Sequence, residues 1–311
     1  MDLMYFYLPV AMTSINIFYP IGLGLAVGIL SGLFGVGGGF LMTPLLIMLG
    51  IPSTVAAATD SNQIVAASTS GTYAHWKVGN VDFKMGFHLL IGGFVGGLMG
   101  VQAIKILRAM GNADFVIKMT YVLMLGIVGT YMFIESLQGI KKKSKGHGSG
   151  VKAEKESAIG RLLKSLPLQT HYEKSGVAHS ALIPIVFGGF VGILAAIMGV
   201  GGGFLMVPVM VYILRMPMHV VVGTSLFQIL FTCIEVTFLQ AYTNHTVDFI
   251  LAALLLLGST LGAQIGTVFG RKLKGEQLRI LLAGIVLVVT VKIVLELTLT
   301  PELLLSQAGG H

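Results

Sequence analysis

The sequence predicts an all-α polytopic membrane protein made of two inverted repeats, each a glycine-broken helix pair followed by three spanning helices. Three observations predict it. The 311 residues are 55% hydrophobic and 11% charged, with a mean hydropathy of +0.88. Soluble globular domains carry about 25% charged residues. A glycine-rich decapeptide occurs twice, each time inside apolar sequence. Basic residues gather in one polar loop near the middle of the chain.

Residues 35–44 read Gly-Val-Gly-Gly-Gly-Phe-Leu-Met-Thr-Pro, and residues 199–208 read Gly-Val-Gly-Gly-Gly-Phe-Leu-Met-Val-Pro. Nine of the ten positions agree. Gly37, Gly38 and Gly39 each cost a helix about 0.8–1.0 kcal/mol relative to Ala. The apolar segment 37–49 reaches only about 20 Å as a helix, too short for a hydrocarbon core of about 30 Å. Each copy therefore reads as a helix broken at membrane depth. Short Gly/Pro-interrupted segments at matching places in two halves point to a transporter's binding site.

The first half divides into apolar elements at residues 17–36, 37–49, 55–76, 83–106 and 115–137. Gly50-Ile51-Pro52-Ser53 separates the second from the third, with Ser53 or Thr54 as the expected helix cap. The pattern returns at residues 181–200, 201–214, 220–242, 249–269 and 277–297. Thr59 and Gln63 match Thr224 and Gln228, and Val81-Asp82-Phe83 matches Val247-Asp248-Phe249. Gly92, Gly96 and Gly100 match Gly258, Gly262 and Gly266, small-residue ladders that let helix backbones approach closely. The domains expected are a first transmembrane repeat at 1–138, a basic cytoplasmic linker at 139–179 and a second repeat at 180–311.

Nine of the 20 Lys and Arg residues lie between Lys141 and Lys174, so the net charge of +7 marks a cytoplasmic loop and not a nucleic-acid footprint. With that loop inside, inverted halves place Lys77, Lys84, Arg215, Arg271, Lys272, Lys274 and Arg279 inside too. Only Lys105, Arg108 and Lys118 are left outside. Parallel halves reverse the bias. The inverted arrangement puts both termini in the periplasm. Asp2 is the only charge at the N-terminus, which shows no basic signal-peptide region. The single cysteine, Cys233, allows no internal disulfide and reads as a buried thiol.

The third element is polar where its neighbours are Ala, Val and Ile: Thr59-Asp60-Ser61-Asn62-Gln63. Its counterpart is Thr224-Ser225-Leu226-Phe227-Gln228. Helical periodicity puts Asp60, Gln63 and Ser70 on one face, and Ser225, Gln228, Thr232 and Glu235 on another. Ionisable residues at membrane depth mark pathways or partners. Asp60 and Glu235 are accordingly the candidate proton carriers. A half-helix N-terminus presents unpaired N–H groups and partial positive charge, which suits an anion. The expected substrate-binding set is Gly37, Gly38, Gly39, Thr59, Asp60, Asn62 and Gln63 with Gly201, Gly202, Gly203, Thr224, Ser225 and Gln228. His75-Trp76-Lys77 reads as an interface belt.

Gly35 to Phe40 with Pro44, then Thr59 to Gln63, resembles the sulfite exporter TauE/SafE family of membrane permeases. Gly199 to Pro208 with Thr224 and Gln228 resembles it equally. The resemblance implies export of a small sulfur-containing anion, such as sulfite, sulfoacetate or a related organosulfonate, across the bacterial inner membrane. The expected partners are that anion and the lipid bilayer, with room for an oligomer and no nucleic acid. No cofactor, metal or catalytic residue is expected, and the chain reads as no enzyme. The same donors along a continuous pore would make a passive anion channel, and a permease for a different small anion is the other alternative.

Overall fold

The computed structural model describes residues 5–34, 39–144, 169–270 and 275–299. Most of them are helical. In the first half a hairpin of β1 (Tyr5–Leu8) and β2 (Thr13–Asn16) precedes α1 (Phe18–Phe34), α2 (Gly39–Met48), α3 (Ser53–Lys77), α4 (Phe83–Ala109) and α5 (Ala113–Ser144). The order then recurs. A hairpin of β3 (Gln169–Tyr172) and β4 (Val177–Ser180) leads into α6 (Leu182–Met198), α7 (Gly203–Pro208), α8 (Met218–Leu239), α9 (Phe249–Gly270) and α10 (Gly275–Leu299).

The all-α expectation needs correcting for the hairpins. Both are antiparallel, with Tyr5 opposite Asn16 and Gln169 opposite Ser180. The second occupies residues 169–180, all but Ser180 inside the stretch expected to be linker. Tyr5–Leu8 reads Tyr-Phe-Tyr-Leu with no polar alternation to mark a strand, and Gln169–Tyr172 is short and mostly polar. A second correction concerns the segment 201–214, which is no single helix. α7 is six residues long and passes into a π-helical turn at Val209–Ile213. The cap differs as well: Pro52, not Ser53 or Thr54, is the N-cap of α3, and no side chain caps it.

α1 packs on α9 and α4 on α6, and the glycine ladders make both contacts. Gly92 meets Ile185, Gly96 meets Gly189, and Gly100 meets Ile193; a Cβ at any of them would collide with backbone. Gly258, Gly262 and Gly266 meet Ile21, Leu25 and Ile29 in the same way. Residue numbers rise together across both contacts, so each pair runs parallel. α3 packs on α8 and α5 on α10 with the opposite sense. Gly71 meets Leu226 while Ile64 clusters with Ile229 and Cys233; Gly129 meets Val286 while Gly126 meets Thr290.

Four described helices are long and apolar enough to cross a membrane: 83–109, 113–131, 218–244 and 249–266. Shorter apolar helices stand at 18–31, 39–48, 182–198 and 284–295. α3 has 25 residues and therefore the length for a span at about 1.5 Å per residue. Its polar residues keep it out of the apolar set, and they are the residues that the candidate site uses.

Candidate functional site

Where α6 gives way to α7, Gly201 and Gly202 both take left-handed backbone, with φ of 69° and 78°. L side chains rarely hold that conformation, which explains a glycine pair here. The first turn of α7 closes on the Gly202 carbonyl, which accepts from the Leu205 and Met206 N–H groups at 3.1 and 2.8 Å. Gly203 is its first residue. In the first repeat Gly39 begins α2, while Gly37 and Gly38 lie outside the described residues.

The two decapeptides converge. Phe40 and Phe204 hold the same position in each, and their rings stack with centroids 4.7 Å apart and planes 15° apart. Gly39 packs against Ile64 and Asp60, and Gly201 packs against the same Ile64 together with Ile229 and Cys233. Both glycine breaks thus close on the pair formed by α3 and α8.

The polar stripes are buried. Asp60 and Gln228 are 0% exposed and Gln63 is 4% exposed; Ser225 is buried and Asn62 half-buried. Thr43 Oγ1 on α2 donates to Asp60 Oδ2 at 2.8 Å. Gln228 Nε2 donates to Thr232 Oγ1 at 3.0 Å, and both atoms lie against Gly93 of α4. The Glu235 carboxyl lies against Gly97. Asp60 Oδ1, Gln63 Oε1, Gln228 Oε1 and Glu235 Oε2 are buried without a hydrogen-bond partner. Four such atoms on two facing helices form a polar seam with unused capacity, which buried polar groups seldom leave without a reason.

Thr59 and Thr224 bond elsewhere. Thr59 Oγ1 accepts from the Asp248 backbone N–H at 3.1 Å, and Thr224 Oγ1 accepts from the Asp82 N–H at 3.0 Å. Each aspartate also starts the helix that follows it: Asp82 Oδ1 accepts from Met85 N–H at 3.0 Å and Asp248 Oδ1 from Leu251 N–H at 3.1 Å. Their second oxygens hold the hairpins, through Ser175 for Asp82 and Val10 N–H for Asp248. Ser225 Oγ turns to its own helix, donating to the Val222 carbonyl at 3.0 Å. The matching Val-Asp-Phe triplets are therefore paired helix caps, each anchored to a threonine of the other half.

Sequence reasoning passed over Thr43 and Tyr121. Tyr121 is wholly buried on α5, its hydroxyl donates to the Met198 carbonyl, and it interacts electrostatically with Asp60. Thr43 had one visible signal. It is the single position at which the decapeptides differ.

The family model for "Sulfite exporter TauE/SafE" matches residues 20–293. The chain belongs to the TauE/SafE family. Among its relatives, "Probable membrane transporter protein YjnA" of Bacillus subtilis is 29% identical over 273 residues, 88% of this chain and 97% of that protein. "Probable membrane transporter protein YunE" of the same organism is 25% identical over 286 residues, covering 88% and 96% of the two chains. "Sulfite exporter TauE/SafE family protein 2" of Arabidopsis thaliana is 31% identical over 100 residues, 32% of this chain and 22% of that protein. No solved structure matches the chain significantly.

Membership in TauE/SafE, with several apolar helices of spanning length, makes this a multi-pass protein of a membrane transporter family. In this TauE/SafE chain the starts of α2 and α7 lie beside the buried polar atoms of α3 and α8.

Proposed function

We propose that this protein exports a small sulfur-containing anion, such as sulfite, sulfoacetate or a related organosulfonate, across the bacterial inner membrane. The anion binds near the midplane, between two inverted repeats. The convergence of both glycine breaks on Ile64, with Phe40 stacked on Phe204, carries this reading. Only a site on the axis relating the halves brings equivalent residues face to face. The antiparallel contacts of α3 with α8 and of α5 with α10 support inversion, since each contact joins helices in equivalent positions. The linker is then cytoplasmic and both termini are periplasmic. A reporter fused at His311 and active only in the cytoplasm sinks that arrangement.

Backbone N–H groups around Gly37, Gly38, Gly39, Gly201, Gly202 and Gly203 meet the anion's oxygens, and Gln63 and Gln228 add side-chain donors. Asn62 and Ser225 border that set. The unpaired atom on each glutamine is the oxygen. Half a turn of the amide puts an NH2 in the same place. Thr232 can donate to Gln228 after the turn as readily as it accepts before it, so the rearrangement strands no group. Thr59 and Thr224 serve the frame, and Asp60 or Glu235 carries a proton.

The test is a ligand panel on the purified chain, scoring the rise in melting temperature with sulfite, sulfate, thiosulfate and two organosulfonates. Saturable stabilisation by sulfite or a sulfonate, ahead of sulfate, supports the reading. A flat response to every sulfur anion defeats it.

A further inference from the structure

We infer that Asp60 and Thr43 form a proton-binding site present in the first repeat alone, in which Thr43 positions the carboxyl; this rests on the transporter reading above. The first repeat departs from the second at two polar positions. The decapeptides differ only at Thr43, whose counterpart is Val207. In the polar segment, Asp60 corresponds to Ser225. The two departures lie 17 residues apart in sequence and meet in space, where Thr43 Oγ1 donates to Asp60 Oδ2 at 2.8 Å. The second repeat lacks both partners. A requirement of the shared frame would act on both halves, as it does for Thr59 and Thr224, whose bonds are duplicated. The Thr43–Asp60 pair is an addition to the frame and belongs to function.

The surroundings of Asp60 suit a proton. Its side chain is fully buried, and Oδ1 has no partner. No Lys, Arg or His pairs with it among the described residues. From α5 it interacts electrostatically with Tyr121, whose hydroxyl is already bonded to the Met198 carbonyl, and from α8 with Cys233. α2, α6 and α9 also pack against α3 and carry no titratable side chain. Asp248, just before α9, is occupied with Val10 and Leu251. Glu235 on α8 faces Gly97 of α4. A lone buried carboxylate is costly without a cation. A proton on Oδ1 removes the charge and supplies a donor; when it leaves, the charge spreads over both oxygens and Thr43 Oγ1 donates to one of them. The proton that arrives on Oδ1 departs from Oδ1, so the cycle needs no other reactant.

Val207 shows how to test this without disturbing packing, because valine already fills the equivalent place in the second repeat. The full chain is titrated by infrared spectroscopy, following the C=O stretch of protonated carboxyl groups. The chain is also reconstituted in vesicles, and sulfite flux is measured across the same pH range. The wild type should show a buried carboxyl band that Asp60→Asn removes. Thr43→Val takes away a hydrogen bond to the charged form, so the midpoint of that band and of flux should move about one pH unit or more toward alkaline values. Thr43→Ser should restore it, and Val207→Thr should leave it in place. A band untouched by Asp60→Asn, or a midpoint unchanged in a well-folded Thr43→Val, overturns the inference. Flux driven by a sodium gradient at constant pH also overturns it. A carboxyl band that behaves as expected in a protein that neither binds nor moves sulfur anions keeps the proton site and removes the substrate reading.

Discussion

Phe40 and Phe204 occupy one position of the duplicated decapeptide and stack on each other, 4.7 Å between ring centroids. Both are buried, at 2% and 3% exposure. Truncating a buried Phe to Ala costs about 3–5 kcal/mol. Because the two rings share one contact, Phe40→Ala and Phe204→Ala should each lower the melting temperature. The double variant should lose less than their sum, since residues in contact are not additive. Fully additive losses in detergent-purified protein would show that the rings stabilise separate bodies.

The cross-lacing of Thr59 with Asp248 and Thr224 with Asp82 gives a second prediction. Thr→Val keeps the volume and leaves a buried backbone N–H without its acceptor, a loss of about 1–3 kcal/mol. Thr59→Val and Thr224→Val should each destabilise the protein by that order, while anion affinity in the folded fraction stays within about twofold. Melting curves with and without sulfite separate the two quantities. Affinity that collapses at unchanged stability would return both threonines to the ligand.

The helices were legible because most apolar runs end at a Gly, Pro or charge cluster. The expected element 83–106, for instance, became Phe83–Ala109, and 249–269 became Phe249–Gly270. The glycine ladders were legible for a related reason, since a small residue every fourth position has one main use between helices. What stayed hidden depends on distant partners. The acceptors for the Asp248 and Asp82 N–H groups lie 189 and 142 residues away, so a matching Val-Asp-Phe triplet could not reveal what it caps onto. The π-helical turns at Val209–Ile213 and Gln240–Asn244 are single-turn departures from α-helix that an apolar run does not reveal. Thr43 was visible as a single mismatch, but its meaning required seeing Asp60 beside it.

A third prediction concerns the second hairpin. Tyr172 is buried with no partner for its hydroxyl, and burial, then the nearby Asp82 charge, pushes its pKa up to about 12. The unfolded chain releases the phenolic proton near pH 10, while the folded chain keeps it until about 12. The folded state binds the extra proton between those values, so stability falls as pH rises through that window. Tyr172→Phe should melt like the wild type near neutrality, because no hydrogen bond is lost, and should resist the alkaline decline. Parallel decline of both proteins at about pH 11 would assign it to another group.

Gln63 and Gln228 occupy equivalent positions on α3 and α8, both buried and each with an oxygen left unpaired. If each turns its amide to the anion, each supplies a hydrogen bond to a charged group, worth about 1.5–3 kcal/mol. Gln→Ala at either position should then weaken anion binding by roughly one to two orders of magnitude. Gln→Glu should be worse, since it opposes the anion with a carboxylate in a poorly solvated seam. A helix-bridging role predicts the reverse pattern, with melting temperature lost and affinity kept. Gln228 distinguishes these further, because its amide already bonds Thr232. Thr232→Val should therefore reduce affinity only if that bond orients Gln228 toward the ligand, and should do nothing to Gln63. Sulfite titrations of these five variants beside their melting curves decide the matter. Unchanged affinity in both alanine variants moves the binding site off the α3–α8 seam.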